Sequence, residues 1–455
     1  MIKKVDSHFL ISLSIFLLFY TIYRSEIYHS GSFRENYYPY YIVSNLLILY
    51  SISSYFLNKV IRLNIFFTII FIPSTLVCYE TYLIYSSQSF DKTLKEREIY
   101  LNNINKDIKF NYRPKIEVYL NLKKNNKNVS VPIPPETYLS GNFKYNSSIL
   151  PLSGISNSTT LFCNENGYYA IYNSDRYGFN NEDKVWEQEI TDFVLLGDSF
   201  VHGACVNRDD NIASILKDLN NKNIINLGYA GNGPLIELAT LKEYVPKSTN
   251  NIIWFFYEGN DIKDLSKEIG NEILKSYFYD KSYTQDLKNK QDIIDEISSK
   301  ALKYFLLDEI NKKENSINVE KKTSLKDNIK LSIKLINIRK LIKNKFRNDN
   351  ETILNVFRKV KDFSSKNGSN LHIVYLPQYE RYLKGFNISE FNANDNYSLI
   401  KSITKQLDIN LIDTHKDVFL KVENPLSLFA SENFIHYNEL GYKLVALSIN
   451  EYFNN

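Results

Sequence analysis

The chain has 455 residues, of which 44% are hydrophobic, and this is enough for a sizeable core and for two or three structural units. Its 55 basic and 51 acidic residues nearly balance, which argues against a nucleic-acid-binding protein with a concentrated basic face. The 3 cysteines contain no CxxC pair, which excludes a zinc site and a framework of several disulfides.

Three apolar stretches lie near the start of the chain, at about 8–23, 40–57 and 63–85. A membrane-spanning helix needs about 20 mainly apolar residues. Tyrosines cluster at the edges of the first two stretches, as in the aromatic belt of a membrane interface. A cleaved signal peptide is the alternative for the first stretch, but no small-x-small cleavage site follows it. We therefore predict a membrane anchor of three helices in residues 1–88.

The basic residues around these stretches predict an orientation. Positive charges favour the cytoplasmic side, which places the N-terminus inside and everything after the third span outside the cytoplasm. The cytoplasmic set is Lys3, Lys4, Lys59 and Arg62, against Arg24 and Arg34 on the other side.

Residues 89–190 read as a charged stalk and a small, mostly-β annex that contains the stretch SDRYGFNN at 174–181. From 191 to 455, continuous apolar strands alternate with amphipathic helices, which predicts an α/β domain with a parallel sheet covered on both faces. A helical insertion is expected at about 263–350. The predicted strands are FVLL (193–196), NIINL (223–227), NIIWFFY (251–257), LHIVYLP (371–377) and NLID (410–413).

Four short polar blocks follow these strands or precede the last helix: Gly197-Asp198-Ser199, NLGYAGNGP at 226–234, Gly259-Asn260-Asp261 and His436-Tyr437-Asn438. Open parallel sheets bind ligands at the carboxyl ends of their strands. A serine hydrolase needs a nucleophile, a base and donors for the oxyanion. In this order the blocks resemble the SGNH (GDSL-type) hydrolase superfamily, particularly its membrane-anchored bacterial branch, over about 190–450.

The resemblance implies a doubly wound, flavodoxin-like sheet and assigns roles to four residues. Ser199 would be the nucleophile and its backbone N–H one oxyanion donor. The Gly231 N–H and the Asn260 side-chain amide would be the other two donors, and His436 would be the general base. Each residue alone has an ordinary interpretation as a turn, a helix cap or a loop histidine, but the ordered set favours a catalytic site.

The chain departs from the family in two places. Family members carry an Asp three residues before the His, where this chain has Asn433. A Ser–His dyad is the preferred interpretation, with Glu432 and then Asp413 as substitute acids. Glu258 replaces a usual Gly, and it either is buried with a raised pKa or points to solvent.

The positions of the cysteines relate to the compartment in which the catalytic domain lies. If the orientation is right, Cys163 and Cys205 both face an oxidising environment, and a disulfide between them would tie the annex to the catalytic domain. Cys78 lies in the third apolar stretch and is expected to be inert.

The resemblance implies ester chemistry without a metal or cofactor. We expect a membrane-tethered serine esterase or acyl transferase that acts on O-acyl groups, acetyl foremost, of an envelope polysaccharide at the bacterial cell membrane. A transferase would draw on a membrane acyltransferase partner. The alternatives are an inactive glycan-binding module of an export system and a phospholipase acting on a lipid ester. For a glycan substrate, Tyr177, Phe179 and Asn180 are the expected contacts.

Overall fold

The structure is a computed structural model that describes residues 5–28, 34–86, 99, 110–139, 143, 148–317, 350–382, 388–431 and 434–455. The described residues fall into two compact units, one within residues 1–87 and one that contains the described residues from 110 onward. The polar blocks identified in the sequence all belong to the second unit.

The first unit is a set of helices: α1 (Val5–Ile22), α2 (Tyr38–Ser53) and α3 (Lys59–Ser86). Helices α1 and α2 run antiparallel, since the Ser54 hydroxyl donates to the Ser7 hydroxyl at 2.8 Å and Ser14 lies 3.1 Å from Ser51. Small hydroxyl side chains at such contacts let apolar helices approach closely.

Two helical stretches in this unit are long and apolar enough to cross a membrane, Ser7–Tyr28 with 22 residues and Lys59–Tyr82 with 24. The expectation of three spans is corrected because α2 has 16 residues and ends at Ser53, where a 3₁₀ turn takes over. A span needs at least about 17 residues.

The second unit is built on a five-stranded parallel sheet within the described residues. Counted along the chain, its five strands pair in the order 2-1-3-4-5, which is the flavodoxin-like order. The predicted α/β fold and strand positions are therefore confirmed, with small shifts at the strand ends. The strands are β4 (Thr191–Leu196), β5 (Ile224–Asn226), β6 (Thr249–Tyr257), β7 (Asn370–Leu376) and β8 (Asn410–Asp413).

Both faces of the sheet are covered, because alternate side chains of each strand enter different cores. Val194 and Trp254 belong to one hydrophobic cluster, while Phe193, Leu195 and Ile253 belong to the other. The helices that follow the first strands are α6 (Ser199–His202), α7 (Ile212–Asn220) and α8 (Pro234–Tyr244), and those after β7 are α13 (Ile388–Gln406), α14 (Thr414–Asp417) and α15 (Glu439–Asn454).

The helical insertion is present between β6 and β7. It contains α9 (Asp261–Glu268), α10 (Glu272–Tyr279) and α11 (Gln291–Ile317), and α12 (Asn350–Lys366) then returns to the sheet. Residues 318–349 of the expected insertion lie outside the described residues.

The segment before the sheet differs from the expected mostly-β annex. Its strands β1 (Val129–Ser130), β2 (Thr159–Leu161) and β3 (Ile171–Asn173) hold two or three residues each, and α4 (Lys115–Asn125) and α5 (Glu136–Leu139) accompany them. Buried residues of this segment share a hydrophobic cluster with the main sheet. The segment is therefore packed onto the α/β domain, and its loops can reach the domain's sheet edge.

Candidate active site

Ser199 stands at the carboxyl edge of the sheet. Strand β4 ends at Leu196, and Asp198 caps the short helix α6 by accepting a hydrogen bond from the Phe200 N–H at 2.9 Å. Gly197 allows this tight turn, since a Cβ there would lie 2.5 Å from the Val201 side chain. The turn leaves Ser199 partly exposed at the first position of the helix.

His436 lies against this serine. Its Nε2 is 2.8 Å from the Ser199 Oγ, although the two residues are 237 positions apart. His436 lies directly before α15 on β10 (Phe434–Tyr437), which pairs antiparallel with β9 (Phe429–Ser431). Asn438 caps that helix by accepting from the Gly441 N–H at 3.0 Å, and its amide donates to the Phe429 carbonyl at 3.0 Å. These bonds fix the chain beside the histidine.

A carboxylate contacts the other ring nitrogen of His436. Glu165 Oε1 lies 2.8 Å from His436 Nδ1, and Glu165 Oε2 accepts the His436 backbone N–H at 3.2 Å. The two side chains are only 13% and 12% exposed. Serine, histidine and carboxylate thus form one hydrogen-bonded series, the arrangement of a Ser-His-acid triad. The expectation of a Ser–His dyad is corrected, because Glu165, in the segment before the sheet, provides a carboxylate at His436.

The charges of the site act on the histidine in opposite directions. Burial by itself lowers the pKa of His436, but the Glu165 carboxylate, through its charge and its hydrogen bond, outweighs this, so that the pKa is raised. Burial also raises the pKa of Asp198 to about 6. A raised pKa at His436 means that its cation is stabilised, which a general base needs at the transition state of acyl transfer.

Glu165 is held by the loop that connects β2 to β3. The Ala170 N–H donates to the Cys163 carbonyl at 3.0 Å, which closes the loop. The predicted Cys163–Cys205 disulfide is present and joins the loop to the chain that follows Ser199. The Asn166 amide donates to the Cys205 carbonyl at 3.1 Å, so the loop is fixed on both sides of Glu165.

The two predicted oxyanion residues also lie at this sheet edge, after β5 and β6. Gly231 adopts a φ of 77°, which glycine tolerates, and a Cβ there would lie 2.7 Å from the Pro134 side chain. The preceding Ala230 N–H donates to His202 Nδ1 at 3.1 Å. The Asn260 Nδ2 donates to Asp198 Oδ2 at 3.3 Å, which leaves its second hydrogen for a ligand.

Asp413, one of the acids considered from the sequence, makes its described hydrogen bonds to groups other than His436. Asp413 accepts the Tyr397 hydroxyl at 2.6 Å with Oδ2, and its Oδ1 caps α14 by accepting from the Lys416 N–H at 3.3 Å. Glu432 and Asn433 lie outside the described residues.

Glu258 is buried, so the solvent-facing alternative is wrong. Its carboxylate forms an ion pair with Arg381 at 2.5 Å and also accepts from the Tyr375 hydroxyl and the Gln378 N–H. Burial raises its pKa, and the Arg381 guanidinium opposes that rise. This group anchors the chain after β7.

The residues predicted to contact a glycan instead pack the segment that follows β3 against the rest of the domain. Phe179 is 0% exposed and packs edge-on against Tyr244, while Tyr177 packs against Trp186. Asn180 is buried and donates to the His202 carbonyl at 3.0 Å. Phe179 and Asn180 are therefore not the exposed substrate contacts that the sequence predicted, while Tyr177 is half-buried.

One group of metal-ligand type occurs at the site, formed by Glu165, His436 and Cys205 with ligand atoms within 4.8 Å of one another. The Cys205 sulfur is bonded to Cys163 and offers no thiolate. In the oxidised chain this group therefore lacks the third ligand.

A signal for Glu165 was present in the sequence but indirect. The residue is 271 positions before His436 and outside the stretch that resembles a known family. A bridge between Cys163 and Cys205, however, would bring the Cys-Asn-Glu sequence at 163–165 close to Ser199. Reading the predicted disulfide as a distance restraint would have pointed to this acid.

Comparison with solved structures finds two lipolytic proteins and an acetyl xylan esterase among the structures similar to this chain. A member of the lipolytic protein G-D-S-L family from Veillonella parvula matches at 13% identity and a TM-score of 0.33, covering 58% of this chain and 99% of its own. A putative lipolytic protein of that family from Desulfitobacterium hafniense matches at 13% and 0.32, covering 57% and 98%. The acetyl xylan esterase AlAXEase matches at 10% and 0.32, covering 57% and 98%. No protein-family model and no curated protein matches the chain.

Proposed function

We propose that the chain is a serine esterase or O-acyltransferase that works through an acyl-enzyme on Ser199. The observation that carries this proposal is the hydrogen-bonded series Ser199–His436–Glu165, with 2.8 Å at each link. A nucleophile, a base and an orienting acid within hydrogen-bond reach are the requirements for this chemistry.

In the proposed mechanism, the Ser199 Oγ attacks an ester carbonyl while His436 Nε2 takes its proton. Glu165 holds the Nδ1–H tautomer and stabilises the imidazolium. The Ser199 and Gly231 N–H groups and the Asn260 amide would bind the oxyanion. His436 then protonates the leaving alcohol. Water completes a hydrolysis, and a sugar hydroxyl completes a transfer.

The proposed substrate is an O-acyl group, acetyl foremost, on an envelope or surface polysaccharide. The Cys163–Cys205 disulfide supports this choice, because disulfides persist in oxidising compartments outside the cytoplasm, where an envelope polysaccharide is found. Two apolar helices support a membrane tether. We propose that these two helices tether the chain to the membrane and that the catalytic unit lies outside the cytoplasm.

The alternative of an inactive glycan-binding module rested on a missing acid, and Glu165 removes that reason. A lipid ester remains the competing substrate class. The burial of Phe179 and the packing of Tyr177 against Trp186 take away one argument for a glycan, so the substrate assay must include both classes.

The test uses the full chain in detergent with a fluorophosphonate probe and a panel of acetylated polysaccharides, lysophospholipids and a chromogenic acetate ester. We expect labelling of Ser199 and release of acetate, both lost in Ser199→Ala. Absence of labelling in the folded wild type would refute the serine chemistry. Release of fatty acid alone would replace the glycan with a lipid substrate.

A further inference from the structure

The loop that carries Glu165 is fixed to the catalytic edge by a short set of contacts. Cys163 is covalently bound to Cys205, and the Asn166 amide bonds to the Cys205 carbonyl at 3.1 Å. Glu165 lies between these two attachments and makes both of its described hydrogen bonds to His436. The position of the acid therefore depends on the geometry at Cys205.

Cys205 itself has an unusual backbone. Its φ is 62°, in the left-handed region that residues other than glycine rarely occupy. Such a conformation persists only where surrounding contacts impose it. The bridge and the Asn166 bond are contacts of this kind, and Cys205 is fully buried. When the bridge is cut, the chain at Cys205 is free to leave this conformation.

We propose that the Cys163–Cys205 disulfide is a redox-sensitive positioning device that holds Glu165 against His436, so that the reduced enzyme is slower than the oxidised one. The inference rests on the proposed serine chemistry, and it adds a regulated element to that same site. The sulfur of Cys205 lies within 4.8 Å of ligand atoms of both Glu165 and His436, so a change at the bridge acts directly beside them.

The redox step balances with a dithiol as reductant. One thiolate of the dithiol attacks a sulfur of the bridge, the S–S bond breaks, and the second thiolate displaces the first protein sulfur. Two electrons and two protons pass to Cys163 and Cys205, which become thiols, while the dithiol closes to a cyclic disulfide.

The loop has contacts that do not involve the bridge, so reduction is expected to move it rather than unfold it. The Ala170 N–H bonds to the Cys163 carbonyl, and the Asn111 N–H bonds to the Gly167 carbonyl at 2.6 Å. A displacement of about 1 Å at a catalytic group can cost roughly 10²-fold in rate. We therefore expect kcat/KM to fall by about 10-fold or more on reduction.

The experiment compares the full chain in detergent before and after treatment with dithiothreitol, with the thiols counted in each sample. The substrate is the chromogenic acetate ester. Cys163→Ser is expected to match the reduced wild type in either condition. Cys78→Ser is the matched control, since it removes a cysteine outside the bridge, and it should keep the wild-type response.

Glu165→Gln shows whether the effect passes through the acid. If the bridge acts by positioning Glu165, reduction lowers the rate of this variant much less than that of the wild type. The acid limb of the kcat/KM profile should also move to lower pH on reduction of the wild type, as it does in Glu165→Gln. A merely structural bridge would lower the rate of both proteins equally and leave the limb in place, and this result would overturn the inference.

Failure of the two proposals is distinguishable. An oxidised wild type that neither hydrolyses the ester nor reacts with fluorophosphonate refutes the serine chemistry itself. An oxidised wild type that is active, and stays equally active with both thiols free, leaves the chemistry intact and refutes the redox inference.

Discussion

Replacement of Glu165 by Gln is the most informative single change, because it removes a charge and keeps the shape of the side chain. During acyl transfer His436 becomes a cation beside the Glu165 carboxylate, with Nδ1 and Oε1 2.8 Å apart. If the charge centres are about 4 Å apart at an effective dielectric constant of about 20, their attraction is about 4 kcal/mol. Since about 1.4 kcal/mol is tenfold in rate, we expect kcat/KM to fall by up to about 10³-fold.

The pH dependence of activity provides a second test with the same variant. His436 works as a base only when it is neutral, so activity rises with pH through its pKa. Glu165 raises this pKa, so in Glu165→Gln the pKa falls and the acid limb moves to lower pH.

The raised pKa of His436 also affects the free energy of unfolding, and its pH dependence is opposite to that of a carboxylate with a lowered pKa. A raised histidine pKa stabilises the fold below the unfolded pKa of about 6.5, and this is lost as pH rises through the folded value.

The assay is a kcat/KM profile from about pH 5 to 9 with the chromogenic acetate ester, together with thermal unfolding at both ends of that range. Asp413→Asn is the matched control, because its carboxylate contacts Tyr397 and not His436. A Glu165→Gln enzyme within a few-fold of the wild type, with an unmoved acid limb, would refute the triad.

Three further changes test other parts of the structure. Asn260→Ala should lower turnover by roughly 10²–10³-fold, the usual loss for one oxyanion donor, and an unchanged turnover would remove Asn260 from the oxyanion site. Glu258→Gln removes the negative charge from the buried ion pair with Arg381 and should lower the free energy of unfolding by about 3–5 kcal/mol in denaturant titrations. A change below about 1 kcal/mol would mean that the ion pair is dispensable. Reporter fusions after about residues 60 and 120, on either side of α3, should read inside and outside the cytoplasm. A cytoplasmic reading at the last position would contradict the proposed location.

Local sequence was enough to determine the sheet and three parts of the candidate site. Each strand is a short apolar run, and parallel pairing brings the carboxyl ends of β4, β5 and β6 to one edge. Ser199, Gly231 and Asn260 follow those ends directly, so their shared location follows from the fold class alone. His436 could also be predicted from the sequence, because its block directly precedes the final helix.

Only the tertiary structure decided the acid, the role of the aromatic stretch and the length of α2. Glu165 reaches His436 from a loop with no periodic pattern, so a contact over 271 positions depends on how that loop packs and on the bridge that fixes it. Phe179 looked like a ligand contact because an aromatic side chain suits a binding surface and a core equally well, and packing against Tyr244 chose the core. Helix α2 ends at Ser53 although apolar residues continue, because hydropathy records composition and does not record where the backbone leaves the helix.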